Sequence, residues 1–257
     1  MTQDERRVFL IERLLAESKE YKDMKIPSGE DDRKRLLRSL LNVRPPKEAS
    51  PDFLAVQDEY LKESISEKGI THVDSLSPLE DGIYLWQGDI TAIDADAIVN
   101  AANSGMTGCY QPCHACIDNC IHTYAGIQLR ARCSEIMTAQ GYPEPTGKAK
   151  ITPAYNLPSK YVIHTVGPIV RGALTESHKA LLKSSYESCL DVAEENGVKS
   201  IAFCCISTGV FGFPKTDAAR IATDTVRNYK RENKSEIKVI FNVFTDEDYC
   251  IYRGLLG

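Results

Sequence analysis

The most restrictive feature of the sequence is a regular alternation, from residue 83 onward, of short apolar runs with longer stretches of helical periodicity. Runs such as residues 97–101 and 201–207 are apolar on both faces, which is typical of strands in a sheet that is covered on both sides. The alternation therefore predicts an α/β fold with three layers, helix on sheet on helix. Strands are predicted at residues 83–87, 97–101, 149–153, 161–165, 201–207 and 238–244, and helices at residues 118–139, 176–195, 217–233 and 246–255.

The first 75 residues differ from the rest of the chain in charge density. In this part 30 of 75 residues are charged, against 37 of the remaining 182. Apolar residues at helical spacing predict three short helices, the second beginning at a capping box of Ser28 and Asp31 and the third at Ser50-Pro51. The mixed-sign run at residues 31–35 is interpreted as a solvated helix face. We therefore predict a small helical extension over residues 1–75 and an α/β domain over residues 76–257.

Composition excludes several classes of protein. The formal net charge is −5, whereas proteins that bind nucleic acid mainly through its phosphates are usually basic, so no nucleic-acid partner is expected. No run approaches the roughly 18 apolar residues of a membrane-spanning helix. Acids and arginines interrupt the apolar residues near the N-terminus, so we expect neither a membrane association nor a signal peptide. The expected location is cytoplasmic.

Nine cysteines, all at or beyond Cys109, are the most informative residues for chemistry. An odd number of thiols in a reducing compartment disfavours a disulfide framework. Four of them lie in the segment GCYQPCHACIDNCIH at residues 108–122, which follows a predicted strand and opens a predicted helix. Within it, Cys109, His114 and Cys116 have the spacing C-x4-H-x-C, and thiolates with imidazoles are the donors that zinc prefers. This loop is a candidate zinc site.

The thiol of Cys113 leaves two kinds of site open. If Cys113 completed a shell of four ligands, the zinc would be closed and structural, whereas three ligands would leave a position for water or substrate. Cys120 and His122 fall inside the predicted helix, where residues two apart project in different directions. A further alternative is that these cysteines act as small buried hydrophobic residues, which fits Cys204 better than a polar loop.

Two further segments have the character of nucleotide-binding loops. In residues 207–213, Gly209 and Gly212 allow backbone N–H groups to approach a phosphate, and the dipole of the following helix would add to the attraction. Residues 88–90 follow the first strand, and there Asp89 can accept hydrogen bonds from an exocyclic amine or a ribose hydroxyl. Each segment taken alone also fits an ordinary turn. Ligands in sheets of this kind collect at the carboxyl ends of the strands, where both segments lie.

Five ordered motifs, taken together, resemble a macrodomain, the ADP-ribose-binding module. They are GDIT at 88–91, AIVNAAN at 97–103, IDNCIHTYAG at 117–126, TGKAKITPAYNLPSKYVIHTVGP at 146–168 and ISTGVFGFP at 206–214. The resemblance covers roughly residues 83–257. It implies a three-layer α/β/α macrodomain with a mixed central sheet.

The cysteine-rich loop is similar to that of zinc-dependent macrodomains found beside a sirtuin-type protein ADP-ribosyltransferase and a lipoyl-carrier protein. In that subfamily the zinc ligands follow GC-x4-H-x-C. This pattern implies zinc on Cys109, His114 and Cys116 and leaves Cys113 outside the ligand shell. Asn103 is kept, whereas residues 116–118 replace the Gly-Val-Asp of the common hydrolase macrodomains. A helical N-terminal extension is also usual in the subfamily.

The resemblance also implies roles in a ligand site. Asp89 and Ile90 would hold adenine, and Asn103 would fix the distal ribose. Asp118 has the position of the water-activating acid of related hydrolases and is the candidate general base, although a residue that only stabilises a helix N-terminus would lie there too. The predicted ligand-binding residues are Asp89, Ile90, Asn103, Ile117, Asp118, Asn119 and, around the diphosphate, Ser207, Thr208, Gly209, Val210 and Phe211; the predicted catalytic residues are Asp118 and Asn103.

The role of the zinc stays open at this stage. Zinc beside the distal ribose would either lower the pKa of a bound water or polarise an oxygen of the ribose or leaving group. His122 and His164, each in an apolar run, are predicted to be structural, with backbone hydrogen-bond partners.

The implied function is that of a zinc-dependent hydrolase that removes mono-ADP-ribose from modified protein side chains. It would reverse the action of a sirtuin-type ADP-ribosyltransferase, with a lipoyl-carrier protein as one candidate substrate. The alternative is a reader that binds ADP-ribose and performs no chemistry. A third hypothesis, a metal-stabilised scaffold or a binder of single-stranded RNA, is disfavoured by the net charge of −5 and by a phosphate loop sized for one nucleotide.

Overall fold

A six-stranded mixed sheet forms the centre of the molecule in the computed structural model, which describes residues 1–257. The strand order is β1-β6-β5-β2-β4-β3, and all neighbouring pairs are parallel except β3 with β4. Strands β2, β5 and β6 are buried along almost their whole length on both faces, which requires cover on both sides. The predicted three-layer α/β fold with a mixed sheet is thus confirmed. The strands are β1 (Ile83–Gln87), β2 (Ala97–Ala101), β3 (Ala149–Pro153), β4 (Tyr161–Thr165), β5 (Ser200–Phe203) and β6 (Lys238–Val243).

Eight α-helices surround the sheet. Helix α6 packs on α7 and α7 on α8, while α4 packs on α5 and contacts β2. The N-terminal extension supplies α1 (Gln3–Ala16), α2 (Glu30–Val43) and α3 (Pro51–Lys68), and the rest of the chain supplies α4 (Ile117–Ala125), α5 (Ile127–Gln140), α6 (Glu176–Glu195), α7 (Lys215–Asn233) and α8 (Asp246–Leu256). No helix is both long and apolar enough to cross a membrane.

The single helix predicted over residues 118–139 is wrong, because the chain breaks at Gly126 into α4 and α5. Gly126 has φ +97°, and a Cβ there would lie 2.7 Å from Gln57 Nε2 and 3.0 Å from Asn156 Nδ2. These two side chains bind the backbone groups that the break releases: Asn156 Nδ2 donates to the Ala125 carbonyl, and Gln57 Oε1 accepts from the Ile127 N–H. Distant residues therefore stabilise a break that a helix would not otherwise make.

Two other sequence predictions need correction at element ends. The capping box at Ser28 is absent, because α2 begins at Glu30 after Gly29, which makes no side-chain cap. The strand predicted at residues 201–207 ends at Phe203. Beyond it, the apolar residues that prolong the run lie buried in a loop, Ile206 with no exposed surface, so burial without strand pairing misled the prediction.

Two hydrophobic clusters organise the packing. The larger one lines the sheet, and the smaller one joins α1, α2 and α3 through side chains such as Leu10, Leu37 and Phe53. Each cluster reaches across the junction, since Ile65 of α3 belongs to the larger cluster and Ile127 of α5 to the smaller one. The extension is therefore packed against the α/β part, and the boundary at residues 75 and 76 stays a prediction.

Candidate active site

The loops that follow β1, β2, β4, β5 and β6 meet at one edge of the sheet, because these strands are mutually parallel. This is the edge where α/β sheets bind their ligands. All the predicted site residues lie in these loops or in the first turn of α4.

The loop between β2 and α4 brings together the three predicted metal ligands. The ligand atoms of Cys109, His114 and Cys116 all lie within 4.8 Å of one another, and Cys109 Sγ is 3.7 Å from His114 Nδ1. Ligands on a tetrahedral zinc are about 3.5–3.8 Å apart, given Zn–S near 2.3 Å and Zn–N near 2.0 Å. Burial, with Cys109 and Asp118 close by, raises the pKa of Cys116 to about 12, so a cation is what would favour its thiolate. The donors fit zinc in both chemistry and spacing.

Cys113 points away from this cluster. Its Sγ lies 3.2 Å from Ser39 Oγ of α2, and its N–H donates to Asn42 Oδ1. Cys113 adopts φ +53°, a left-handed conformation that is rare for residues other than glycine. The cluster therefore brings together three candidate ligands, and Cys113 is not a fourth.

Asp118 is buried beside the cluster, with only 5% of its surface exposed. Its Oδ1 accepts from Asn100 Nδ2 at 2.8 Å, and its Oδ2 accepts from Asn103 Nδ2 at 3.2 Å. Burial raises the pKa of Asp118 to about 6, against the opposing effect of both amides. Asn103 Nδ2 also donates to the carbonyl of Gly108, the residue before Cys109. The Asn103 amide, just beyond β2, therefore bonds both the Asp118 carboxylate and the backbone next to Cys109.

The two histidines are buried as predicted, but the prediction of backbone partners is wrong. His164 Nδ1 lies 3.1 Å from Asn100 Nδ2, and its Nε2 lies 3.0 Å from Thr152 Oγ1. Neither ring nitrogen of His122 has a hydrogen-bond partner. Asn100 was missed by the sequence prediction because it stands in an apolar strand; parallel pairing of β2 with β4 places it directly opposite His164.

The loop after β5 has the geometry of an anion site. The N–H groups of three consecutive residues, Gly209, Val210 and Phe211, donate to no acceptor in the protein, whereas the Phe213 N–H closes the loop onto the Ser207 carbonyl. Ser207 adopts φ +66°, and its buried hydroxyl has no partner. Successive free N–H groups in such a turn form a concave site for phosphate.

In the loop after β1, hydrogen bonds fix the carboxylate of Asp89. Asp89 Oδ1 accepts from the N–H and the hydroxyl of Thr91, and its Oδ2 accepts from Lys68 Nζ of α3 at 2.8 Å. Burial opposes ionisation of Asp89, but the bonds from Lys68 and Thr91 outweigh it and lower its pKa. Ile90 has its side chain in the core, with 1% exposed, so only its backbone can contact a ligand.

Three more positions complete the comparison with the prediction. Asn119 is fully buried, and its amide donates to the carbonyls of Cys109 and Gln111. Asn119 therefore supports the loop that carries the cysteine–histidine cluster, and its contact with a ligand stays a prediction. Ile117 packs against the larger core cluster. Phe244, which was not predicted, is 75% exposed directly after β6; an aromatic residue at the end of an apolar strand was the available signal.

These features define an α/β protein with a candidate anion-binding loop and a cysteine–histidine cluster at one sheet edge. Residues 99–222 match the family model described as the Macro domain. The chain is 60% identical to "Protein-ADP-ribose hydrolase" of Treponema medium over 261 residues, 100% of both chains. It is 44% identical over 242 residues to "Probable bifunctional ADP-ribose hydrolase/ADP-ribosyltransferase" of Fusarium oxysporum f. sp. cubense, covering 86% of this chain and 40% of that protein.

A solved structure adds the fold comparison. The Trypanosoma brucei macrodomain in complex with ADP-ribose superposes with a TM-score of 0.66 at 29% identity, covering 86% of this chain and 95% of that one. The chain belongs to the macrodomain family, and the resemblance noted in the sequence motifs is confirmed.

Proposed function

We propose that this chain is a zinc-dependent protein-ADP-ribose hydrolase that removes mono-ADP-ribose from modified protein side chains. The names of its relatives support the reaction. The observation that carries the proposal is the contact of Asp118 with Asn103, immediately beside the cluster of Cys109, His114 and Cys116. A module that only binds ADP-ribose has no need for this donor set.

The chain's own groups fit the parts of ADP-ribose. The free N–H groups of Gly209, Val210 and Phe211 suit the diphosphate. Asp89 and the backbone of Ile90 suit the polar edge of adenine, and the exposed ring of Phe244 offers a stacking surface for its face. The distal ribose would then lie near Asn103, in the same loop as the cluster of Cys109, His114 and Cys116.

The proposed chemistry assigns a role to each group at the distal ribose. Cys109, His114 and Cys116 would hold zinc, which supplies Lewis acidity to an oxygen when bound. Asp118 orients the Asn103 amide through Oδ2, and the same carboxylate is the proposed proton acceptor. Asn100 fixes the other carboxylate oxygen, so Asp118 cannot rotate away.

The proposed partners are a mono-ADP-ribosylated protein and the transferase that modifies it. The fungal relative carries both activities in its name, which supports pairing this hydrolase with an ADP-ribosyltransferase. A transferase of the sirtuin type and a lipoyl-carrier substrate are the specific candidates implied by the subfamily resemblance.

Release of ADP-ribose from a mono-ADP-ribosylated protein tests the proposal. The purified chain should hold about one zinc ion and release ADP-ribose, and Cys116→Ala or prolonged chelation should abolish release. Cys250→Ala, at an exposed thiol on α8, is the matched control and should keep full activity. Release that survives complete removal of zinc would contradict the role of the metal. Tight ADP-ribose binding without any release would instead identify a reader module.

A further inference from the structure

The metal loop makes few structural bonds of its own. Residues 102–116 contain no helix or strand, and only two backbone hydrogen bonds lie wholly inside the loop, Met106 N–H to the Asn103 carbonyl and His114 N–H to the Gln111 carbonyl. Three residues of the loop, Met106, Gly108 and Cys113, have positive φ. For the non-glycine residues Met106 and Cys113 such conformations are strained and persist only where surrounding structure holds them.

Arg38 of α2 supplies part of that surrounding structure. Its Nη2 donates to the carbonyl of His114 at 2.9 Å and to Asn119 Oδ1 at 3.0 Å. Asn119 in turn donates to the carbonyl of Cys109 at 3.3 Å. Arg38 therefore reaches one proposed metal ligand directly and a second through one intervening amide.

Asn42, one helical turn further along α2, binds the same loop from a second point. Its Oδ1 accepts from the Cys113 N–H at 2.9 Å, and its Nδ2 donates to Thr123 Oγ1 of α4. Asn42 is 1% exposed, so these bonds lie away from competing water. The residue with the strained φ next to His114 is thus tied to the N-terminal extension.

Arg130 of α5 connects the end of α2 to the start of the loop. Its Nη1 donates to the carbonyls of Leu41, Asn42 and Arg44, and its Nε donates to the Thr107 carbonyl. The guanidinium also lies 4.3 Å from the centre of the Tyr110 ring, next to Cys109. Helix α2 therefore contacts the second half of the loop directly and the first half through Arg130.

We propose that α2 of the N-terminal extension is a working part of the metal site, and that Arg38 is a positioning residue that holds His114 and Cys109 in ligating geometry. This proposal rests on the proposed function, in which the cluster binds zinc. Groups that orient metal ligands from outside the ligand shell typically change metal affinity 10- to 100-fold when removed. The extension is then more than an appendage to the macrodomain.

The test measures zinc affinity of the full chain by competition with a chromogenic chelator. Arg38→Met keeps the length and apolar stem of the side chain but removes every donor, and its zinc Kd should rise about 10- to 100-fold. Arg38→Lys keeps one donor nitrogen, the ammonium group, and should show a smaller rise in zinc Kd. Arg13→Met is the matched control, because the Arg13 guanidinium contacts Asp52 and the Phe9 ring, both within the extension, and its zinc Kd should be unchanged.

Hydrogen exchange of the metal-free chain gives a second readout that does not depend on catalysis. Amides of residues 107–116 should exchange faster in Arg38→Met than in the wild type, while the strands of the sheet exchange alike. If the wild-type chain binds no zinc, the proposed function fails, and the exchange comparison still decides the positioning role. Unchanged zinc Kd and unchanged exchange in both Arg38 variants would overturn the proposal.

Discussion

Replacing His164 by Gln should remove a specific acid sensitivity from the fold. His164 is fully buried, its Nδ1 faces the NH₂ group of Asn100, and its Nε2 faces Thr152 Oγ1. Because the Asn100 amide donates to His164, a proton added at Nδ1 would face another donor. Burial lowers the pKa of His164 to about 3. Gln can accept from Asn100 and donate to Thr152 without titrating.

The sign and size of the effect follow from linkage. An unfolded histidine has a pKa of about 6.5, so the unfolded chain gains a proton below that pH while the folded chain stays neutral at this site. Stability is therefore complete above about pH 6.5 and falls by about 1.4 kcal/mol per pH unit, down to about pH 3. At about pH 5 the wild type should have lost about 2 kcal/mol through His164 alone.

The assay is urea unfolding followed through the fluorescence of Trp86, the single tryptophan, at about pH 7.5 and about pH 5. Between these conditions His164→Gln should lose about 2 kcal/mol less free energy of unfolding than the wild type. Contributions common to both chains cancel in this comparison. The control is His178→Gln, at the start of α6, which should follow the wild type. Parallel losses in the wild type and His164→Gln would refute the reasoning.

Three further outcomes are expected at the site. Gly167→Ala would set a methyl 2.1 Å from Ser207 Oγ and so displace the loop of residues 207–213. For an overpacking cost of about 1–3 kcal/mol, calorimetry should show ADP-ribose binding weakened by about 5- to 150-fold. Unchanged affinity together with unchanged stability would contradict this expectation. Cys113→Ser should retain zinc in elemental analysis whereas Cys116→Ser should lose it, and loss in both would make Cys113 a ligand. Asp89→Ala should weaken ADP-ribose about 10- to 100-fold, the value of a hydrogen bond to a charged group, and leave ribose 5-phosphate unaffected; equal losses for both ligands would remove Asp89 from the adenine site.

The strands were predictable because burial on both faces leaves a direct record in composition. Residues 97–101 and 161–165 are mainly apolar for that reason, and their predicted bounds match the structure. The break at Gly126 was not predictable from local sequence, since its cause is the approach of Gln57 and Asn156 from elsewhere in the chain. A run of helical periodicity records the buried face and not the partners that interrupt it.

The same distinction applies to the candidate site. The spacing of Cys109, His114 and Cys116 lies within eight residues, so one loop could bring them together and the sequence could indicate it. The contact of Arg38 with His114 joins residues 76 positions apart, and the meeting of Asn100 with His164 depends on strand register. Groups that support a site from other elements become visible only after folding.

The exposed side chains Val210 and Phe244 have a consequence for the thermodynamics of recognition. They are 80% and 75% exposed in the loops that follow β5 and β6, so this edge of the sheet presents apolar surface to water. A ligand that covers this surface should bind with a negative heat-capacity change, the signature of apolar burial. With a net charge of −5, the chain gains little from long-range attraction of an anionic nucleotide. Part of its affinity for a doubly charged ligand would therefore come from dehydration of the Val210 and Phe244 side chains.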